Sequence, residues 1–315
     1  MPEGKFTAAA AQIAPRLGDV EANLDLYEKM ASEAAGAGAD LLVFPELSVT
    51  GYTLRDMVST VALGLDSPEM KRLRELSRKV ALVAGFVEET SSFRFHNSAV
   101  FLDRGDIVAV HRKVYLPTYG MFDELRYFAR GSQIRAFDTR FGRAAMLICE
   151  DLWHPSTPYL AALDDALFVL CPSTSPLRGI SEGHEQDDNA RYWEMINGFY
   201  AATFSFSIVY ANRVGFEDGV GFWGGSEILD AAGKRVAKAR YYEPELLVGE
   251  VHPKIARRRR ITSPLLRDED LDLTINELIR LRGRSTRLDG AGEIAAGPDP
   301  SPARAKGGRS LGKKK

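Results

Sequence analysis

Apolar runs of strand length recur along the chain: FTAAAAQIA (6–14), LLVFPE (41–46), ALVAGFVEE (81–89), NSAVFLD (97–103), DIVAVHRKV (106–114), RAAMLICED (143–151), ALFVLCPS (166–173), FSIVYANRV (206–214), GGSEILD (224–230) and LLVGEVH (246–252). Several are apolar almost throughout, as strands buried on both faces are. Between some of them the period changes to that of a helix. Residues 21–36 put Leu24, Tyr27, Met30 and Ala34 on one face and end in glycine. Residues 68–79 open with proline at a first helical position. Residues 185–204 place Trp193, Ile196 and Phe199 at helical spacing. Arg104-Gly105 separates two consecutive runs and reads as a tight hairpin. Early β-α-β units that alternate with hairpins predict an α/β (α+β) chain with layered, mixed sheets.

From Gly283 the pattern stops. Residues 283–315 are rich in Gly, Pro, Ala and charge, so a basic, disordered tail is expected after a domain over 1–282. The tail holds eight Lys/Arg against three acids, a net +5, which leaves −7 of the total −2 on residues 1–282. A nucleic-acid partner is not expected for such a body. The basic run Arg257–Arg260 reads first as a solvated face and second as an anion or acidic-partner site. No apolar run approaches the roughly 18 residues of a membrane helix, and the N-terminus lacks the charged start of a signal peptide. With two cysteines, Cys149 and Cys171, a reduced, cytoplasmic setting is expected rather than a disulfide framework.

Three runs end in ionisable residues: LLVFPE in Glu46, DIVAVHRKV near Lys113 and RAAMLIC in Cys149. Neighbouring strands would bring these ends to one sheet edge, where sites of open α/β sheets lie. The set is chemically coherent. Glu46 can take the thiol proton of Cys149 and return it to a leaving amine. Lys113 can stabilise an oxyanion, with the N–H of Glu150 as a second donor. That combination suits hydrolysis of a carbon–nitrogen bond through a thioester. A lone cysteine after an apolar strand is otherwise a core residue. Neither C-x-x-C nor H-E-x-x-H appears, so no metal site is expected. The phosphate loop G-x-x-x-x-G-K-[ST] is absent too.

With those residues in view, the chain resembles the nitrilase superfamily of carbon–nitrogen hydrolases over roughly residues 5–255. The resemblance rests on FPELSVTGY (44–52), HRKVYLPTYGMFDELRYF (111–128) and MLICEDLWHP (146–155), in that order. It implies a four-layer α-β-β-α sandwich that forms homodimers or higher homo-oligomers. It also implies Glu46 as general base, Lys113 as oxyanion stabiliser, Cys149 as nucleophile and Glu124 as a second glutamate positioning lysine and substrate. No metal or organic cofactor is implied. Within the superfamily, CEDLW with YLPTYGMFDE is similar to the glutamine amidase domain of glutamine-dependent NAD synthetase, whose amino-acid site matches Tyr119 and Ser175 here. Glu150 and Trp153 complete the expected substrate site. Two features depart from that branch: the S-P segment reads CPSTSP, and no S-G-G-type loop follows. The leading expectation is a stand-alone amidase acting on a small-molecule amide. The alternatives are a nitrilase or N-carbamoyl amidohydrolase, or a non-catalytic scaffold on the same fold. True nitrilases carry Trp-Glu after the cysteine, where this chain has Glu-Asp.

Overall fold

The computed structural model describes residues 4–177 and 188–288. Its strands are β1 (Phe6–Gln12), β2 (Leu41–Val43), β3 (Ala81–Glu89), β4 (Phe95–Asp103), β5 (Asp106–Arg112), β6 (Ala136–Thr139), β7 (Gly142–Met146), β8 (Phe168–Ser173), β9 (Ser207–Asn212), β10 (Val214–Glu217), β11 (Val220–Trp223), β12 (Glu227–Leu229), β13 (Arg235–Lys238) and β14 (Glu245–Val251). The helices are α1 (Val20–Gly36), α2 (Val58–Val61), α3 (Pro68–Leu76), α4 (Glu124–Tyr127), α5 (Glu150–Trp153), α6 (Ser156–Leu163), α7 (Asp188–Phe204), α8 (Pro253–Thr262) and α9 (Leu271–Leu288).

Two six-stranded sheets form, ordered β14-β1-β2-β3-β4-β5 and β13-β12-β9-β8-β7-β6, with β10 and β11 as a separate hairpin. In the first, β1, β2 and β3 run parallel and the outer pairs antiparallel. In the second, β7, β8 and β9 run parallel. The hairpin at Arg104-Gly105 forms as expected. Both residues have positive φ, 55° and 90°, as a two-residue type I′ turn requires.

Alternation along the strands builds the layers. Ala8, Ala10, Val43, Val83 and Phe101 of the first sheet meet Met146, Phe168, Leu170 and Val209 of the second. The opposite faces of those strands, through Ala9, Ala11, Leu42, Leu82 and Val100, pack on Leu24, Tyr27, Met30, Leu73 and Leu76 of α1 and α3. Ala145, Val169, Cys171 and Ile208 pack on Trp193, Ile196 and Tyr200 of α7. The result is the expected α-β-β-α sandwich. Burying each Val, Leu, Ile or Phe side chain in these layers contributes about 1.5–3 kcal/mol.

Some helix details differ from expectation. Helix α1 buries the predicted face. On α7, Phe199 is 60% exposed and Tyr200 takes the buried position. The helix is anchored by Trp193, and from there a step of seven leads to Tyr200, on the same face. Of the basic run, Arg259 and Arg260 are half-buried and donate to the carbonyls of Ala202 and Ala166, whereas Arg257 and Arg258 are exposed. A compact unit closes at Asp268, and α9, in the segment beyond it, runs through residue 283 to Leu288. The remainder of the expected tail, 289–315, lies outside the described residues, as does 185–187 of the long predicted helix. Among the described residues no helix is long and apolar enough to cross a membrane.

Gly85, in the middle of β3, faces the turn after β2. A Cβ there would stand 2.6 Å from both the Pro45 oxygen and the Leu47 nitrogen. Both are backbone atoms, so Gly85→Ala must push the turn away. The expected cost is about 1–3 kcal/mol, read as a lower denaturant midpoint at unchanged slope. A midpoint equal to wild type would show that the turn yields freely.

Candidate active site

Three strand ends converge at the edge where the parallel strands of both sheets finish. Strand β2 stops at Val43, and Pro45, which has no N–H to give a ladder, starts a turn that carries Leu47 at φ 49°. Glu46 sits in that turn. Strand β5 delivers Lys113, whose N–H donates to the Asn97 carbonyl and whose carbonyl accepts from Gly131 N. Beyond β7 the chain keeps parallel pairing with β8, Leu147 N to Leu170 O and Cys149 N to Pro172 O. It then turns sharply into α5 at Cys149, with φ 43° and ψ −102°. A non-glycine residue there is strained, by about 1–3 kcal/mol, and such strain gathers at functional sites.

The side chains close into one cluster. Lys113 Nζ donates to Glu46 Oε1 and to Glu124 Oε1, each at 2.6 Å. Asn97 Nδ2 adds a bond of 2.8 Å to Glu46 Oε1, and the Thr174 N–H one of 3.0 Å to Oε2. The Tyr52 hydroxyl donates to Glu124 Oε1. Glu124 Oε2 is buried and unpartnered among the described residues. Cys149 is half-buried, and the Ser173 hydroxyl donates to its Sγ at 3.4 Å.

Charge within this dry cluster is finely divided. Burial and the Glu46 carboxylate push the Cys149 thiol well above its usual range, against the pull of Lys113 and Ser173. The resting sulfur is therefore a thiol. Burial works against the Lys113 ammonium, but Glu124, Glu46 and Cys149 outweigh it and hold the lysine charged. Burial pushes Glu124 up to about 7, with Lys113 opposing and Glu46 adding to the rise. Burial and the neighbouring carboxylates keep the Tyr52 phenol protonated, so it serves as a donor.

The remaining candidates form a second group beside the first. The Tyr119 hydroxyl donates to both oxygens of Glu150, at 3.0 and 2.9 Å. Ser175 is buried, and its hydroxyl accepts from Asn189 Nδ2 and Trp193 Nε1, both at 2.9 Å. Trp153 packs against Tyr192 and edge-on to Trp193. A cleft of about 170 Å³ opens beside Glu124, lined by Tyr52, Leu54, Met121, Phe122 and Tyr127 among others. Sequence reading passed over Asn97, Ser173 and Thr174, which contact the cluster directly. Tyr52 lay in the FPELSVTGY segment without an assigned role. Cys171, the second thiol, is fully buried on the α7 side of its sheet.

A family model described as carbon-nitrogen hydrolase matches residues 7–260. The glutamine-dependent NAD(+) synthetase of Acinetobacter baylyi is 30% identical over 258 residues, 81% of this chain and 46% of that protein. The chain spans about half the length of the curated synthetases it matches. A carbon-nitrogen hydrolase from Helicobacter pylori superposes with a TM-score of 0.79 at 25% identity, covering 88% of this chain and 99% of that one. An amidase from Nesterenkonia sp. superposes with a TM-score of 0.73 at 26% identity, covering 88% and 97%. A glutamate-to-glutamine variant of that amidase shows covalent addition of the acetamide moiety of fluoroacetamide at the active site cysteine. Matched over four-fifths of its length and folded as its solved relatives are, the chain belongs to the carbon-nitrogen hydrolase family.

Proposed function

We propose that the chain is an amidase that cleaves the C–N bond of a small primary amide through a thioester on Cys149. One observation carries this reading: Lys113 fixed between the buried carboxyl groups of Glu46 and Glu124 in the cluster that holds the Cys149 thiol. In the first step the Cys149 sulfur bonds to the amide carbon while Glu46 receives the thiol proton. The carbonyl electron pair moves to oxygen, where Lys113 and the Glu150 N–H face the new charge. As first residue of α5, Glu150 has no partner for that N–H inside the helix. Collapse breaks the C–N bond, and Glu46 returns the proton to the departing ammonia. Water then attacks the thioester with Glu46 again as base, releasing the carboxylic acid and the thiol. A sulfur that is a thiol at rest suits this base-coupled attack better than a preformed ion pair.

The second group supports an amide of the glutamine kind. Glu150 places a carboxylate near the nucleophile, where it would pair with a substrate ammonium. Ser175 has both lone pairs filled by Asn189 and Trp193, so its own proton is left to donate, which suits a substrate carboxylate.

Ammonia release should be measured across glutamine, asparagine, α-ketoglutaramate, aliphatic amides and nitriles, with Cys149→Ala as blank. Release from an amide that the variant lacks is the expected result. Silence across all amides from folded protein would refute the proposal. Glu150→Gln should raise KM for an α-amino amide about tenfold or more while sparing a neutral aliphatic amide. Equal effects on both would remove Glu150 from substrate selection.

Glu124→Gln should separate activity from stability. The Glu124 carboxyl is raised, so the folded protein keeps this proton where the unfolded chain has lost it, and stability falls as pH rises from about 4.5 through about 7. The variant should lack this fall and melt no lower than wild type at pH 8, while turnover drops about 10- to 100-fold. A wild-type pH–stability curve in the variant would contradict this assignment.

A further inference from the structure

Asp151 stands two residues beyond Cys149 and is fully buried. All of its acceptor capacity is spent on two chain segments. Oδ1 accepts the backbone N–H groups of Val114 and Tyr115, both at 2.9 Å. Oδ2 accepts the N–H of Ile148 at 3.0 Å and lies 2.8 Å from Nε2 of the buried His111, oriented to donate. Val114 and Tyr115 directly follow Lys113, and Ile148 directly precedes Cys149. The lysine segment continues from β5 of the first sheet, and the cysteine turn from β7 of the second. These sheets share no strand pairing, their facing surfaces are largely apolar, and Thr174 bonds Glu46 across them beside β8 and β2. Apolar contact sets their separation but resists sliding only weakly, because it has no direction. Between the Lys113 and Cys149 segments themselves, the directional bonds are those of Asp151.

We propose that Asp151, oriented by His111, is a positioning residue that holds Lys113 and Cys149 at their working separation across the two sheets. The inference rests on the amidase reading for its kinetic consequence but not for its geometry. Asp151 touches no reacting atom. It acts through the backbone on either side of the two residues that do. An amide in its place would keep one oxygen for Val114 and Tyr115. Its NH2 group would then confront the Ile148 N–H, donor against donor. A misplacement of about 1 Å at such a pair costs about 100-fold in rate.

The test is Asp151→Asn in the full chain, with two readouts. First, kcat is normalised to active sites titrated by a thiol probe. The expected loss is about 100-fold with KM changed less than about threefold. A purely structural role would instead reduce the number of titrated sites and leave turnover per site at the wild-type value, and that result overturns the proposal. Second, the pH dependence of iodoacetamide reaction at Cys149 is followed by mass spectrometry. With Lys113 withdrawn, the midpoint should move up, because the ammonium favours the thiolate. An unmoved midpoint overturns the proposal. This readout needs no substrate, so it fails separately from the amidase reading. If Asp151→Asn gives no folded protein, His111→Phe decides by the same two readouts. A several-fold loss of kcat with an upward midpoint supports the clamp, and wild-type values for both overturn it.

Discussion

A lysine ammonium lodged between two buried carboxylates dictates much of the surrounding structure. Lys113, Glu46 and Glu124 together carry one excess negative charge when all are ionised. Removing ions from water costs several kcal/mol each unless every bond is well made. The neighbours meet most of that demand, leaving Glu124 Oε2 unpartnered among the described residues. Asn97 and Thr174 supply donors to Glu46, and Tyr52 supplies one to Glu124. Even the backbone is shaped to this end. At Gly131 a Cβ would fall 2.0 Å from the Arg112 carbonyl, so only glycine lets that segment close on Lys113. Tyr52 is itself held from the far side. Glu217 Oε1 accepts the N–H groups of Tyr52 and Thr53, while its other oxygen pairs with the buried Arg213. An ion pair remote from the sulfur thus continues the network that ends at Lys113.

The cluster also ties the two sheets together. Thr174, at the end of β8, donates its N–H to the Glu46 side chain and its hydroxyl to the Glu46 carbonyl. Glu46 is thus at once a chemical group and a strut between layers. This double use explains why the region is rich in polar side chains that are fully buried yet almost completely bonded. Each such bond is worth little by itself, but leaving a buried partner unpaired is costly, so the set resists piecemeal change.

Much of this was legible in the sequence where the signal was local. Strand-length apolar runs located the sheets, and an ionisable residue after each of three runs located Glu46, Lys113 and Cys149. A glycine pair partner at Arg104 marked the hairpin. What escaped depended on neighbours distant in sequence. Asn97 reads as an ordinary strand residue until β4 is laid beside the β2 turn. Thr174 and Asp151 matter only once the second sheet faces the first. The short strands β6, β10, β11 and β13 have too few residues to show a period. Phe199 was misassigned because apolar character alone does not say which side of a helix meets the core. Helix α9 was not foreseen, and the tail expected from residue 283 overlaps its end, because that boundary was drawn on composition, whereas an isolated glycine costs a helix only about 1 kcal/mol.

The four consecutive alanines of β1 have a consequence for the chemistry. Ala8 and Ala10 face the second sheet, and Ala9 and Ala11 face the helices. With methyl groups in place of larger side chains, the first sheet can settle close to β9. Packed sheets in general stand about 10 Å apart. Here that thickness is a ruler. It fixes how far a lysine rooted in one layer must reach to meet a sulfur rooted in the other. A residue whose only visible property is smallness thereby sets a length on which the proposed chemistry depends.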